Sequence, residues 1–194
     1  LSSVDLPTLG RPTTATTGGG PLTVADSSES VSAPNSHSLS SDHVPSSVIA
    51  RSTARMAGAF RMCVLAYDPH LAPGSLPDGV QRCESLEALL EASDAVSVHC
   101  VLNAQTHHLL GAAQLARMKP TAVLVNVSRG EIVDEAALLQ ALAERRMAGA
   151  ALDVYGREPL ARHGHALSAL YEMEHVILWP NLTFYTQEAM QRLE

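Results

Sequence analysis

The chain predicts an α/β fold, a doubly wound parallel sheet with helices on both faces, and three observations lead there. Short apolar runs of strand type (Met62 to Tyr67, Ala95 to His99, Val123 to Asn126, Ala150 to Val154, Val176 to Leu178) alternate with segments of helical periodicity. Strands separated by helices join through parallel crossovers, which lay helices over the sheet. The apolar fraction is 46% but aromatics are only 4%, so Ala, Val and Leu must build the core, as suits a sheet buried on both sides.

The elements follow in order. Residues 1 to 47 are rich in Ser and Thr, contain the run Gly18 to Gly20 and repeated Pro, and precede the first aromatic residue, Phe60. Such a segment buries too little apolar surface to offset its ordering entropy, so it is expected to be disordered or not native coding sequence. The first residue is Leu1 rather than Met, which reads as a fragment. Ile49 to Phe60 has helical spacing of Ala, and Met62 to Tyr67 is a strand ending at Asp68-Pro69. A loop rich in Pro and Gly spans 69 to 79, Leu86, Leu89 and Leu90 mark a short helix ended by Ser93-Asp94, and Ala95 to His99 is a strand. Leu109 to Met118 is expected helical. Asp134 to Met147 is a further helix, capped by Asp134 and stopped by Gly149. After the strands at 150 to 154 and 176 to 178, Thr186 caps a helix that the chain end cuts off at 187 to 194. The ordered domain is therefore expected over 48 to 186, short of an N-terminal strand.

Charge and composition exclude several classes. Net charge is -7 with no basic cluster, so the footprint of direct nucleic-acid binding is missing. Cys63, Cys83 and Cys100 are odd in number and form no Cys-x-x-Cys, which suits reduced thiols in a cytoplasmic protein. No apolar run approaches the ~20 residues of a membrane span, and no secretory leader pattern opens the chain. No His, Cys or acidic cluster has metal-ligand spacing, so no metal is expected.

Chemistry should lie at the carboxyl ends of the strands, where open parallel sheets bind ligands. Those ends carry Asp68, His99 to Asn103, Asn126 to Gly130, Asp153 to Pro159 and Pro180-Asn181. An acidic residue after the second strand of a dinucleotide fold accepts hydrogen bonds from ribose hydroxyls and repels a 2′-phosphate, which would favour NAD over NADP. Taken alone, Asp68-Pro69 is equally well an ordinary turn. The Gly-x-Gly-x-x-Gly loop that should accompany it, ~20 residues earlier, is replaced by Pro45-Ser46-Ser47-Val48-Ile49-Ala50, in which only Ala50 is an acceptable occupant. Met118 to Glu135 places Arg129 just past the strand Val123 to Asn126, well set to grip a carboxylate or polarise a carbonyl. An arginine paired with a neighbouring helix is the plainer reading of that residue alone.

Residues 49 to 190 resemble the nucleotide-binding domain of the D-isomer-specific 2-hydroxyacid dehydrogenases. Leu89 to Gly111, with Ser93-Asp94, His99, Thr106 and Leu109, is similar to that family's second signature, and Met118 to Asp134 is similar to its third. Val101 stands where the family has Pro. The resemblance implies a Rossmann-like domain with NAD as cofactor, Arg129 as the catalytic arginine, Glu158 as the partner of the catalytic histidine and Asp153 at the nicotinamide carboxamide. Cys100, Asn103, Val127 and Ser128, with Arg129, match positions lining the cofactor. It also implies a small 2-hydroxy or 2-keto acid substrate, a CH–OH donor and a homodimer.

The family's histidine is Asn181 here, an amide that can hydrogen-bond but cannot supply a proton. His163, His165 and His175 read as solvated or packed residues rather than replacement acids, and His107-His108 as part of a turn. The family's substrate domain, built from chain on either side of the nucleotide domain, has no counterpart here. The resemblance therefore implies an NAD-dependent oxidoreductase that is impaired or inactive in this form. The alternative is an NAD-responsive corepressor of the C-terminal binding protein kind, nuclear in location, or a dimerisation module. Tyr67-Asp68-Pro69, His99-Cys100-x-Leu102-Asn103 and His107-His108-Leu109 resemble that branch, whereas Phe184 stands where it has Trp.

Overall fold

The computed structural model describes residues 19–25, 46–72 and 74–181. Seven strands form one sheet: β1 (Gly19–Ala25), β2 (Met62–Tyr67), β3 (Val80–Arg82), β4 (Ala95–Val98), β5 (Val123–Asn126), β6 (Gly149–Leu152) and β7 (Val176–Leu178). They lie in the order β3-β2-β1-β4-β5-β6-β7, and every pairing is parallel. The helices are α1 (Ser46–Ala59), α2 (Leu86–Ala92), α3 (Ala112–Leu115) and α4 (Glu135–Ala143).

The sheet is not short of its N-terminal strand, which corrects the sequence expectation for that region. Gly19–Ala25 occupies the middle of the sheet, with Leu22 to Ala25 paired to Val64 to Tyr67 on one side and to Ala95 to Val98 on the other. Its local signal is weak because the run Leu22 to Ala25 is only four residues long and stands between Gly18 to Pro21 and Asp26, and pairing along both edges supplies what propensity does not. The register slips between Gly19 and Leu22, where Pro21 has no N–H to offer the ladder. The cap expected at Thr186 and the helix at 187 to 194 lie outside the described residues, as does Pro45.

Helix α1 lays a stripe of Ala50, Ala54 and Ala57 against Val64 of β2. Ala50, the one residue suited to the third glycine position, is buried in that contact, where a larger side chain would push helix from strand. The larger core lies on the other face, where Leu86, Leu89 and Leu90 of α2, Leu115 of α3 and Leu138 and Leu142 of α4 meet Val96, Val98, Leu124 and Leu152. Ser85 caps α2 by accepting from the Ala88 N–H, and Asp134 caps α4 by accepting from Ala136 and Ala137.

Three local expectations change. The helix expected over 109 to 118 shrinks to Ala112–Leu115 because Leu110 is drawn into a bridge with Val133, its N–H donating to Ile132 O and its carbonyl accepting from Asp134 N. Helix α4 ends at Ala143, since Arg145 turns at φ 54 and sends Met147 into the core. Gly149 is then no helix stop but the first residue of β6, and a Cβ there would sit 2.2 Å from His175 O, so only glycine lets the chain before β7 approach. Strand β3, which no expectation covered, begins directly after the Pro- and Gly-rich loop, following Gly79 at φ 82.

Candidate functional site

Because all seven strands are parallel, the loops after β2, β4, β5, β6 and β7 emerge along one edge, and backbone contacts fasten the last four to one another. The Ser128 hydroxyl donates to Cys100 O, joining the β5 loop to the β4 loop. Asp153 N donates to Asn126 O at 3.0 Å, joining β6 to β5. Buried Asn126 shapes the turn carrying the arginine: its Nδ2 donates to Arg129 O at 2.9 Å and its Oδ1 accepts from Ser128 N at 3.1 Å. Arg129 is exposed, with Nη1 donating to Ser128 O at 2.7 Å. Val127 and Ser128 are half-buried beside it.

Gly130 makes this placement possible. A Cβ on it would lie 2.0 Å from Tyr155 C and 2.2 Å from Gly156 N, so the β5 and β6 loops touch backbone to backbone. Tyr155 continues the chain of contacts. Its hydroxyl donates to Trp179 O at 2.8 Å and lies 3.1 Å from Leu152 O, while its N–H donates to Glu158 Oε1 at 3.3 Å. Burial, with Tyr171 nearby, pushes the phenol up to about 12.

Glu158 and Asn181, 23 positions apart in sequence, meet at the end of this ladder: Asn181 Nδ2 donates to Glu158 Oε2 at 2.8 Å. The amide thus occupies the carboxylate much as an imidazole N–H would, which leaves its second N–H and Oδ1 free to meet a ligand. Asn181 holds φ 53, a left-handed conformation that asparagine tolerates well. Beside the pair opens a cavity of about 510 Å³ walled by Tyr155, Leu160, Tyr171 and Trp179. Buried Asp153 closes β6 at the crevice floor, and buried Cys100 closes β4. Asn103 organises its own turn, its Oδ1 accepting from Gln105 N at 2.8 Å and Thr106 N at 3.0 Å.

Asp68 lies apart, at the far side of the crevice. It is buried, its Oδ1 accepts from His70 N at 2.8 Å, and it borders a groove lined by Ala54, Leu71, Leu76, Pro77 and Val80. A carboxylate at the rim of this small apolar groove is placed to accept hydrogen bonds from ribose hydroxyls. The opposite end, with Cys100, Ser128 and Asp153 around strand ends, suits the polar amide of a nicotinamide.

His163 is exposed, and several other histidines are engaged elsewhere. His165 is buried, its Nε2 donating to Arg157 O at 2.9 Å and its Nδ1 accepting from Leu167 N at 3.0 Å. His175 Nε2 donates to Leu142 O at 3.2 Å. His99 pairs with Ser97 Oγ at 2.9 Å inside the sheet, where burial lowers its pKa to about 4. His107 and His108 stack on each other at 4.0 Å. Among the described residues no group of three metal-ligating side chains occurs, and no helix is long and apolar enough to cross a membrane. The sequence places Gly130 and Tyr155 in strand-end segments without giving either of them a role. A glycine directly after the arginine was the available sign of a tight contact; nothing local marks Tyr155, whose bonds reach across 24 positions.

A parallel sheet in the order 3-2-1-4-5-6-7, a ribose-type carboxylate after β2 and a polar crevice at the strand ends define a dinucleotide-binding α/β domain. Residues 45–182 match the family model for "D-isomer specific 2-hydroxyacid dehydrogenase, NAD binding domain". The chain belongs to that family, and NAD is the cofactor of the matched domain. It is 42% identical over 146 residues to the (S)-sulfolactate dehydrogenase of Chromohalobacter salexigens, covering 75% of this chain and 46% of that one. A glyoxylate reductase from Paecilomyes thermophila superposes with a TM-score of 0.70 at 31% identity, covering 90% of this chain and 45% of that one. A D-isomer specific 2-hydroxyacid dehydrogenase from Lactobacillus delbrueckii ssp. bulgaricus, in its NAD complexed form, gives a TM-score of 0.70 at 25% identity, with 89% and 49% covered. The chain thus spans about half the length of these proteins or less.

Proposed function

We propose that this chain is the nucleotide-binding half of an NAD-dependent D-2-hydroxyacid dehydrogenase, interconverting a small 2-hydroxy acid and its 2-keto acid, with its proton-transfer arm disabled. The observation that carries the reading is the Glu158–Asn181 pair, 2.8 Å apart on loops that Tyr155 and Gly130 bind to the turn carrying Arg129. NAD, when bound, supplies the hydride chemistry. The other roles fall to the chain's own side chains. Asp68 accepts from the ribose hydroxyls, Cys100, Asn103, Val127 and Ser128 line the cofactor, and Asp153 meets the carboxamide. Arg129 holds the substrate's carboxylate and carbonyl oxygen through its planar fork of donors. Glu158 orients residue 181. Asn181 steadies the carbonyl oxygen but transfers no proton, a loss of roughly 10²- to 10⁴-fold.

The sulfolactate and glyoxylate enzymes above point to a short, anionic 2-hydroxy acid as the substrate class. On this reading residues 48 to 186 form the NAD-binding unit, joined by the β1 segment, and a second copy completes a homodimer, which sedimentation would check. The related proteins described above are two dehydrogenases and a reductase, so the corepressor-like alternative gains nothing from them. The test is a fluorescence titration of the full chain with NADH, followed by NADH consumption with glyoxylate. Saturable binding with very slow turnover is expected. Absence of binding would overturn the cofactor assignment, and fast turnover would overturn the assignment of Asn181 as a disabling residue.

A further inference from the structure

The cavity beside the Glu158–Asn181 pair has aromatic walls that the proposed reaction does not use. The chain holds only seven aromatic residues, and three of them, Tyr155, Tyr171 and Trp179, line this one space of about 510 Å³. Both tyrosine hydroxyls are spent on backbone: Tyr155 donates to Trp179 O at 2.8 Å and Tyr171 to Leu160 O at 3.0 Å. What the two rings offer a ligand is therefore carbon surface and π-electron density rather than a phenol. Glu158 carries the only charge among the lining residues, with no Lys or Arg beside it. One of these walls already holds a cation, since the Arg162 guanidinium lies 4.7 Å over the Tyr171 ring. Arg162 does not itself line the cavity. We propose that the cavity is a binding site for a small alkylated ammonium ion, held by the three rings and by the charge of Glu158.

Electrostatics select the type of ligand. The face of an aromatic ring is the negative end of its quadrupole, so rings gathered around one space favour a cation, above all one whose charge is spread over alkyl groups. Glu158 adds attraction from a fixed position, because Tyr155 N holds its Oε1 and Asn181 Nδ2 its Oε2. The same charge repels an anionic 2-keto acid, which sets this cavity apart from the carboxylate grip assigned to Arg129. A neutral amide at residue 181 suits the cation, whereas a protonated imidazole there would place like charge beside it. None of the residues assigned to the cofactor lines the cavity, so the inference is independent of NAD binding.

The full chain carries one tryptophan, Trp179, so its emission reports on this cavity directly. The titrants are choline, its uncharged isostere with a tert-butyl group in place of the trimethylammonium, and pyruvate as the anion. Choline is expected to give a saturable change in emission, with the isostere and pyruvate at least about tenfold weaker. Tyr171→Leu keeps apolar bulk but removes the ring, and should weaken choline binding by about tenfold or more, whereas Tyr171→Phe should retain it. Glu158→Gln, at an exposed side chain, should give a second loss without touching the aromatic walls, and it serves if Tyr171→Leu does not fold. Equal binding of choline and its isostere would reduce the cavity to an apolar hollow and overturn the proposal. So would a preference for pyruvate, the absence of any choline response in the folded chain, or an unchanged choline affinity in the folded variants Tyr171→Leu and Glu158→Gln.

Discussion

Asn181→His is the most informative single change. Asn181 Nδ2 already sits 2.8 Å from Glu158 Oε2, and that carboxylate is held on its other oxygen by Tyr155 N at 3.3 Å. An imidazole placed there keeps one N–H on Glu158 and turns its second nitrogen toward the crevice. The backbone at φ 53 lies in a region that both Asn and His enter more readily than most residues, so the exchange adds little strain. Glu158 is exposed, and an exposed ion pair contributes only about 0.2–1 kcal/mol, less than one pKa unit, so the imidazole should titrate between about 6.5 and 7.5. A positioned general acid lowers the barrier by about 3 to 5 kcal/mol, or roughly 10²- to 10⁴-fold. The assay is NADH consumption with a 2-keto acid across pH 5 to about 9, on protein already saturated with nucleotide. Reduction needs the protonated ring, so the rate should fall as pH rises through the imidazole pKa, whereas the oxidation of a 2-hydroxy acid should rise. The unaltered chain should show neither inflection. A gain below about tenfold, or a gain with no pH inflection, would refute residue 181 as the missing acid's position.

Three further outcomes follow from the packing. Gly130→Ala drives a Cβ to 2.0 Å from backbone on the β6 loop, which no side-chain rotation relieves, so a loss above about 3 kcal/mol is expected by urea unfolding; a loss below about 1 kcal/mol would show that the two loops part easily. Tyr155→Phe removes the hydrogen bond to Trp179 O and should cost about 1 to 2 kcal/mol while weakening the Glu158–Asn181 contact. Because the folded phenol is raised from 10 to about 12, the native chain should also lose stability as pH climbs between those values, and the phenylalanine variant should not share that loss. His99 is lowered from 6.5 to about 4 in the fold, so the unfolded chain binds the proton first. Stability from that site is full above pH 6.5 and declines as pH falls toward 4, by at most about 3 kcal/mol. Acid unfolding of His99→Gln should lack that component; an unchanged acid profile would remove His99 as its source.

The sequence by itself determined the parts that are written locally. Strand and helix alternation from Met62 to Leu178 shows because side-chain period distinguishes the two, and Asp134 declares its cap through its position before an apolar helix. The loop carrying Arg129 and the exchange at Asn181 are legible for the same reason, since a motif is a local string. What only the tertiary structure decided are the relations between distant strings. Gly19–Ala25 has too little apolar pattern to announce a strand, and it becomes one because two neighbours hydrogen-bond to it at once. The 2.0 Å clearance that makes Gly130 obligatory, the reach of Tyr155 to Trp179, and the meeting of Arg51 with Asp68 across one groove all join residues far apart in the chain. Propensity and periodicity fix which face a residue turns inward, whereas close approach between loops depends on how helices and strands stack, an outcome of long-range packing that no short window contains.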